Sequence, residues 1–249
     1  MRLYKQLTIV FTMTDVKEYW NKSTAKLPQD KDPSSYAIQI SEMLPQHATV
    51  ADLGGGSGED ATLFATLGHD VTLLDINEVD IEKTKARAAR FGVASSVHTV
   101  QHDMGDGRLP LPSDTFDIVY SRLTLHFFNP QILISLLQEI FRVLKSDGKA
   151  FLTLKSPKDA QDMAFLRTRA KELSPGLFDM DGMTRTRFTI EQLQAIAAQA
   201  DLGPDAVTVR ECVEKLDNRT DAVKSNVSQF LLNEIVITKK RKVVYGRKD

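Results

Sequence analysis

Cysteine is nearly absent from this chain. Cys212 is the only one in 249 residues, so an internal disulfide cannot form and a cysteine-rich zinc site is excluded. Net charge is almost absent too. A formal −1 at pH 7 gives no whole-chain attraction to nucleic acid or to an anionic membrane, and either partner would need a local patch. Long apolar runs are missing. Near the start, Leu7 to Met13 is too short to span a bilayer and no small-residue cleavage site follows it. The first residues therefore read as a non-native extension, an extra strand or a helical turn, with Met13 an alternative start, and the chain reads as cytoplasmic. There is no internal repeat and no low-complexity tract.

What is present suffices for one large core. With 42% apolar and 26% charged residues, a single domain, or a domain with a cap, fits better than two independent cores. The stretch Val50 to Asp60 has the pattern of a buried strand, a glycine loop and a helix start. Gly54, Gly56 and Gly58 remove side chains where the backbone must turn and come close to something else, and the next helix begins with amide donors. That describes a nucleotide-sized cradle. A turn without a ligand also needs glycine, so the weight falls on what lies downstream.

Before the loop, the polar segment from Thr14 to Leu44 carries Tyr19, Trp20 and Tyr36 and is punctuated by Pro28, Pro33 and Pro45. Ser34 or Ser35 caps a helix with Tyr36, Ile40 and Leu44 at helical spacing, expected to lie over a core rather than build it. Residues 1–45 thus form an N-terminal helical lid or extension, and 46–249 the main domain. Tyr19 and Trp20 read first as anchors for this segment; as substrate contacts they would close over a bound ligand.

After the loop, helices and strands alternate. A helix with Ala61, Leu63, Phe64 and Leu67 stops at Gly68, and strand Val71–Leu74 ends at Asp75. A helix from Glu78 to about Phe91 carries Lys83, Lys85, Arg87 and Arg90 on a solvated face. Strand Val97–Gln101 ends at His102-Asp103-Met104. Strand Phe116–Tyr120 follows, then a helix from Gln131 to Lys145 ended by Asp147-Gly148, then strand Ala150–Leu154. Such spacing predicts an α/β fold with an open, mostly parallel sheet covered on both faces. A polar stretch, about 156–188, interrupts the alternation as a cap insertion. Thr189 opens another helix, and the runs Val207–Leu216 and Val227–Thr238, joined by Asp217–Asn226, pair antiparallel.

Ligands of such sheets bind outside the carboxyl ends of the strands. There the chain places the glycine loop, Asp75, Asp103 and Ser121. An acid ending the second strand suits both hydroxyls of a ribose. One ending the third suits an exocyclic amine, with Ile76 and Met104 as apolar neighbours for a purine. Either aspartate alone would read as a helix cap; together, behind a glycine loop, they describe an adenosine site. A dinucleotide fingerprint starting at Gly54 would need glycine where Glu59 stands. Asp52, Glu59 and Asp60 also crowd the loop with negative charge, and no Lys or Arg is expected to balance them, which suits an ammonium or sulfonium better than a pyrophosphate. No G-x-x-x-x-G-K-[ST] loop occurs.

With these motifs in their order, the chain resembles the class I S-adenosylmethionine-dependent methyltransferases, of the small-molecule type found among ubiquinone, biotin-pathway and tellurite-resistance enzymes. Val-Ala-Asp-Leu-Gly-Gly-Gly-Ser-Gly looks like that family's first motif, with Gly55 where many members carry Cys. Residues 72–77, 101–104, 116–128 and 144–153 look like its later motifs. The resemblance covers roughly residues 18–238. It implies a Rossmann-like seven-stranded sheet with one antiparallel strand near the C-terminal edge. It also implies S-adenosylmethionine as cofactor, with Gly54, Gly56 and Gly58 at its methionine part, Asp75 on the ribose, Asp103 with Met104 at the adenine, and Asp52 and Ile76 among the cofactor-binding residues. Ser121, Arg122 and Leu123 then line the floor near the reactive end.

Two roles fit His126, flanked by Leu125 and Phe127: a general base for the acceptor, or a packed wall residue with its polar edge hydrogen-bonded. Arg185 and Arg187, like Arg167 and Arg169, grip an anionic acceptor on one account and form a solvated face, the plainer expectation, on the other. Lys239 to Lys242 read as a solvated tail. No Asn/Asp-Pro-Pro-aromatic run follows the fourth strand, Cys212 sits in a late strand, and no acidic metal cluster is evident. What is left is a small-molecule methyl acceptor, with no metal, nucleic acid or membrane, in a monomer or homodimer. Two other classes compete: a catalytically silent S-adenosylmethionine-binding regulator or partner subunit, and an NAD-linked oxidoreductase, which Glu59 disfavours.

Overall fold

The computed structural model describes residues 13–24, 31–216 and 228–241. The apolar run starting at Leu7, the punctuation at Pro28, the link Asp217–Asn226 with Val227, and Lys242 lie outside the described residues. The chain enters through helices α1 (Met13–Thr24) and α2 (Ser35–Ser41). It then alternates: β1 (Thr49–Leu53), α3 (Glu59–Thr66), β2 (Asp70–Asp75), α4 (Glu78–Arg90), β3 (Val97–Gln101), β4 (Phe116–Arg122), α5 (Pro130–Val143) and β5 (Leu144–Lys155). Helix α6 (Ala160–Arg169) and three short strands, β6 (Lys171–Ser174), β7 (Leu177–Met180) and β8 (Met183–Thr186), precede α7 (Ile190–Ala200), β9 (Val207–Lys215) and β10 (Gln229–Thr238). Among the described residues no helix is long and apolar enough to cross a membrane.

Seven strands form one sheet in the order β3-β2-β1-β4-β5-β10-β9. The five from β3 to β5 are parallel. β10 runs antiparallel to both of its neighbours, as the family resemblance implied. Side chains alternate between two cores. Ala51, Leu53 and Val119 point to the layer of α5 and α7, whereas Val50, Ile118 and Tyr120 point to that of α2, α3 and α4. α5 is fixed at its start by Pro130 and by Asn129, whose side chain accepts from the Ile132 N–H. Its Leu133, Leu136, Leu137 and Ile140 are fully buried. Thr189 and Gln192 close a reciprocal capping box on α7.

Two expectations need correction. α2 builds the core instead of lying over it: Tyr36, Ala37 and Ile40 are buried in the second cluster, and the Tyr36 hydroxyl donates to Glu234 of β10 at 2.7 Å. The polar surroundings of that segment hid a buried helix face. Asp147-Gly148, in turn, does not stop the helix before β5. Leu144 already turns extended at φ −64°, ψ 137°, and Asp147 and Gly148 form an irregularity inside β5, where pairing with β4 shifts register. A Cβ on Gly148 would lie 2.9 Å from the Lys145 carbonyl oxygen, so the close backbone approach of a bulge accounts for that glycine.

Candidate active site

Four parallel strands end at one edge, and the residues after them meet there. β1 runs into Gly54 at φ +73°. A Cβ on it would stand 2.3 Å from Cγ2 of Thr124, in the turn after β4, so both conformation and close approach require glycine. Gly56 is also left-handed, at φ +55°, yet a Cβ there would meet nothing within 4 Å. The loop is packed against protein at one end and open at the other. Its amides hold it to the end of β2: Gly54 N–H donates to the Leu74 carbonyl at 2.7 Å and Gly56 N–H to Asp75 Oδ2 at 2.9 Å. Thr84 of α4 donates to the Gly56 carbonyl at 3.0 Å.

Asp75 also accepts the Asn77 N–H on Oδ1, at 2.8 Å. Burial pushes its carboxyl up to about 6, with Asp80 adding to the rise and the amides of Asn77, Gly56 and Ile76 opposing it. Ile76 is half-buried beside it. Asp103 starts a short turn in which its Oδ1 accepts the Gly105 N–H at 2.8 Å, and Met104 packs into the first core cluster. Both aspartates therefore anchor local backbone, and both stand at the carboxyl ends of the parallel strands.

Asp52 is the anomaly of this edge. It is 2% exposed, and its Oδ2 has no hydrogen-bond partner among the described residues. Burial raises its pKa well above the usual carboxylate range, and Asp60, Asp75 and Glu59 raise it further, with Arg122 opposing. Asp60 is fully engaged, accepting from Ser34 N–H, the Ser34 hydroxyl and the Tyr120 hydroxyl at 2.7–2.8 Å.

The loop's acids are not unbalanced as expected. Arg87, assigned to a solvated face, is buried; it donates to the Lys31 carbonyl at 2.8 Å and lies 3.6 Å from Glu59. It follows buried Thr84 by one turn on the same side of α4, which periodicity alone did not separate from its exposed neighbours.

Past β4, Ser121 is fully buried and donates its hydroxyl to the Leu53 carbonyl at 2.9 Å, tying the ends of β1 and β4 together. Arg122 Nε donates to both oxygens of Glu214, at 2.8 and 3.0 Å. Leu123 holds φ +55°, a left-handed backbone that costs a branched side chain about 1–2 kcal/mol; its N–H donates to the Thr153 carbonyl at 3.0 Å. Strain of this kind collects at functional edges.

His126 is buried, and its Nδ1 has no hydrogen-bond partner among the described residues. Burial first, then the cations Arg187, Lys155 and Arg185, hold its pKa well below the usual histidine value, so the ring is neutral. It lies on Phe127, with centroids 4.1 Å apart.

Around Phe127 an aromatic wall assembles. Trp20 meets it edge-on at 4.7 Å and Tyr19 meets Trp20 at 5.3 Å. Lys17 bonds Glu78 at the start of α4 at 2.9 Å, so α1 touches both α4 and this wall. Arg185 and Arg187 are 5% and 4% exposed, which overturns the solvated-face expectation for both. Arg187 pairs with Asp162. Arg185 donates to the Thr184 carbonyl at 2.9 Å and to the Tyr19 hydroxyl at 2.7 Å. Arg167 and Arg169 are exposed. Thr84, Thr124, Lys155 and Glu214 join the edge unannounced, because the pairings that recruit them span distant parts of the chain. A cavity of about 360 Å³ between α7 and the start of β9 lies at the opposite edge of the sheet and holds none of these residues.

Residues 50–148 match the family model described as a methyltransferase domain. Over these residues the chain is similar to that domain. It is 35% identical over 99 residues to the uncharacterized methyltransferase YodH of Bacillus subtilis, covering 40% of each chain. It is 31% identical over 112 residues to the tRNA 5-carboxymethoxyuridine methyltransferase of Escherichia coli, covering 44% of this chain and 41% of that one. The matched region thus spans about two fifths of the length of these curated relatives. In fold, the chain is similar to the Burkholderia thailandensis 1,6-didemethyltoxoflavin-N1-methyltransferase, solved with 1,6-didemethyltoxoflavin and S-adenosylhomocysteine. That likeness has a TM-score of 0.58 at 18% identity, over 92% of this chain and 84% of the other. The matched region ends within β5, so β9, β10 and Arg185 lie beyond it, whereas Phe127 lies inside it.

Proposed function

We propose that the protein is an S-adenosylmethionine-dependent methyltransferase acting on a small acceptor. The observation that carries this is Asp52: a buried carboxylate oxygen without a partner, beside a glycine loop that leaves open space at Gly56. An isolated buried carboxylate is costly unless a cation completes it, and an ammonium or sulfonium next to the loop does so. A pyrophosphate would add to the charge of Asp52, Glu59 and Asp75. The residues present therefore fit the cofactor.

The cofactor supplies a methyl already activated on a sulfonium, so alignment and water exclusion are left to the protein. Asp52 and the loop hold the methionine end. Asp75 holds the ribose, and Asp103 the adenine, with Ile76 and Met104 as its apolar neighbours. Ser121 fixes the floor through Leu53, while Arg122 and Leu123 shape it. Tyr19, Trp20 and Phe127 keep water from the acceptor side, and neutral His126 offers that side a hydrogen bond and a weak base. A near-neutral chain with a covered aromatic wall favours a small acceptor over RNA, whose phosphates call for many free cations.

Calorimetry with S-adenosylmethionine, S-adenosylhomocysteine and NAD on one sample tests this. Micromolar binding of the first two with none of NAD is expected. Preference for NAD refutes the proposal, and binding without turnover on any acceptor panel favours a silent regulator.

A further inference from the structure

Arg185 stands apart from the other buried and half-buried arginines around this edge. Arg87 faces Glu59, Arg122 holds Glu214 and Arg187 holds Asp162. Arg185, at 5% exposure, has no carboxylate within ion-pair distance among the described residues. Its hydrogen bonds go to one carbonyl and one phenol, which leaves part of the guanidinium fork without an acceptor. Its flat faces are covered: the guanidinium carbon lies 4.5 Å from the Phe127 ring centre and 5.4 Å from that of Tyr19.

We propose that the methyl acceptor is a small carboxylate whose anionic group docks on the free edge of Arg185, its apolar body lying along the wall of Phe127 and Trp20. This rests on the methyl-transfer proposal above. Removing a guanidinium from water is expensive unless a counterion completes it; among the described residues Asp181 acts on Arg185 through space and forms no ion pair with it. Arg187 and Lys155 bear with Arg185 on His126. Burial pulls the Arg185 pKa below its ordinary value, with Arg187 adding to the fall and Tyr19 and Asp181 opposing it. A carboxylate matches a single planar fork in two parallel hydrogen bonds. A phosphate dianion would call for a second free cation, but Arg187 is held by Asp162 and Lys155 lies 3.7 Å from Asp162, over the Phe230 ring.

The test uses the full chain saturated with S-adenosylhomocysteine and a panel of aryl and alkyl carboxylates, benzoate first, each paired with its neutral amide. In the wild type, carboxylates bind at least about tenfold more tightly than their amides and raise the melting temperature. Arg185→Met abolishes that preference while S-adenosylhomocysteine affinity stays within about twofold, and without ligand it melts no lower than the wild type, because an apolar side chain replaces an unpaired buried charge. Arg185→Lys, which keeps charge without the fork, retains part of the preference and decides the matter if the methionine variant fails to fold. Equal binding of acids and amides by the wild type overturns the proposal, as does an unchanged preference in Arg185→Met or tighter binding of an RNA oligonucleotide than of any carboxylate. Loss of S-adenosylhomocysteine binding in the wild type would instead strike the methyl-transfer proposal, and the acid–amide comparison is then read on the protein alone.

Discussion

Replacing Asp52 by Asn should make the empty protein more stable and the cofactor site worse. The side chain is buried, three acids surround it, and Oδ2 has no partner. Removing an unsatisfied buried charge of the same shape relieves a penalty of about 1–3 kcal/mol. For a chain of this size each kcal/mol appears as a rise of about 2–4 °C in melting temperature. The sign with pH is fixed. The folded-state pKa lies above the ordinary 3.8, so the penalty is absent below that value, where both states are protonated, and grows as the pH rises towards the folded-state pKa. The advantage of Asp52→Asn therefore widens with increasing pH. The same change removes a charge-assisted contact to a cationic ligand, about 1.5–3 kcal/mol, which weakens binding by about 10–150-fold. Urea melts at several pH values, with calorimetric titration of S-adenosylmethionine, read both effects. A variant that is less stable across the range, or that binds as the wild type does, would refute the reasoning.

Gly54→Ala should cost more than about 2 kcal/mol in chemical denaturation, from left-handed backbone plus the Thr124 clash. Gly56→Ala should cost only about 1 kcal/mol yet weaken cofactor binding, because its Cβ enters the open space; equal stability losses would contradict this. Because Asp75 ionises at about 6, cofactor affinity should fall as the pH drops through that value. Asp75→Asn should bind weakly and without that inflection in calorimetric titrations between pH 5 and about 7.5. With the His126 pKa held low by burial, wild-type kcat should show no histidine inflection near its ordinary 6.5. His126→Asn should lose turnover while keeping cofactor affinity, and unchanged turnover with the native acceptor would remove it from the chemistry.

The sheet was legible because its evidence is local. Strands such as Val71–Leu74, bounded by Gly68 and Asp75, carry period and punctuation within a few residues, and the motifs recur at the same edge. What stayed hidden is pairing across the chain. Nothing local distinguishes buried Arg87 from exposed Arg90, or marks Thr124 as the residue that Gly54 must clear. Arg185 and Arg187 alternate with threonines as a solvated strand would, and their burial comes from α1 and α6 packing over them. The missing signal was tertiary throughout: each of these residues owes its state to a partner far away in sequence.

The ion pair between Arg122 and Glu214 bears on how the chain is made. Arg122 ends β4, inside the matched residues 50–148, while its carboxylate belongs to the outermost strand, β9. β5 likewise has its second neighbour in β10, where buried Leu152 faces buried Ile235. As the polypeptide leaves the ribosome, the segment up to residue 148 emerges before the carboxylate that Arg122 holds and before the strand that pairs with β5. Both arrive with residues 207–238. A fragment cut at residue 148 leaves Arg122 without Glu214 and β5 without its second neighbour.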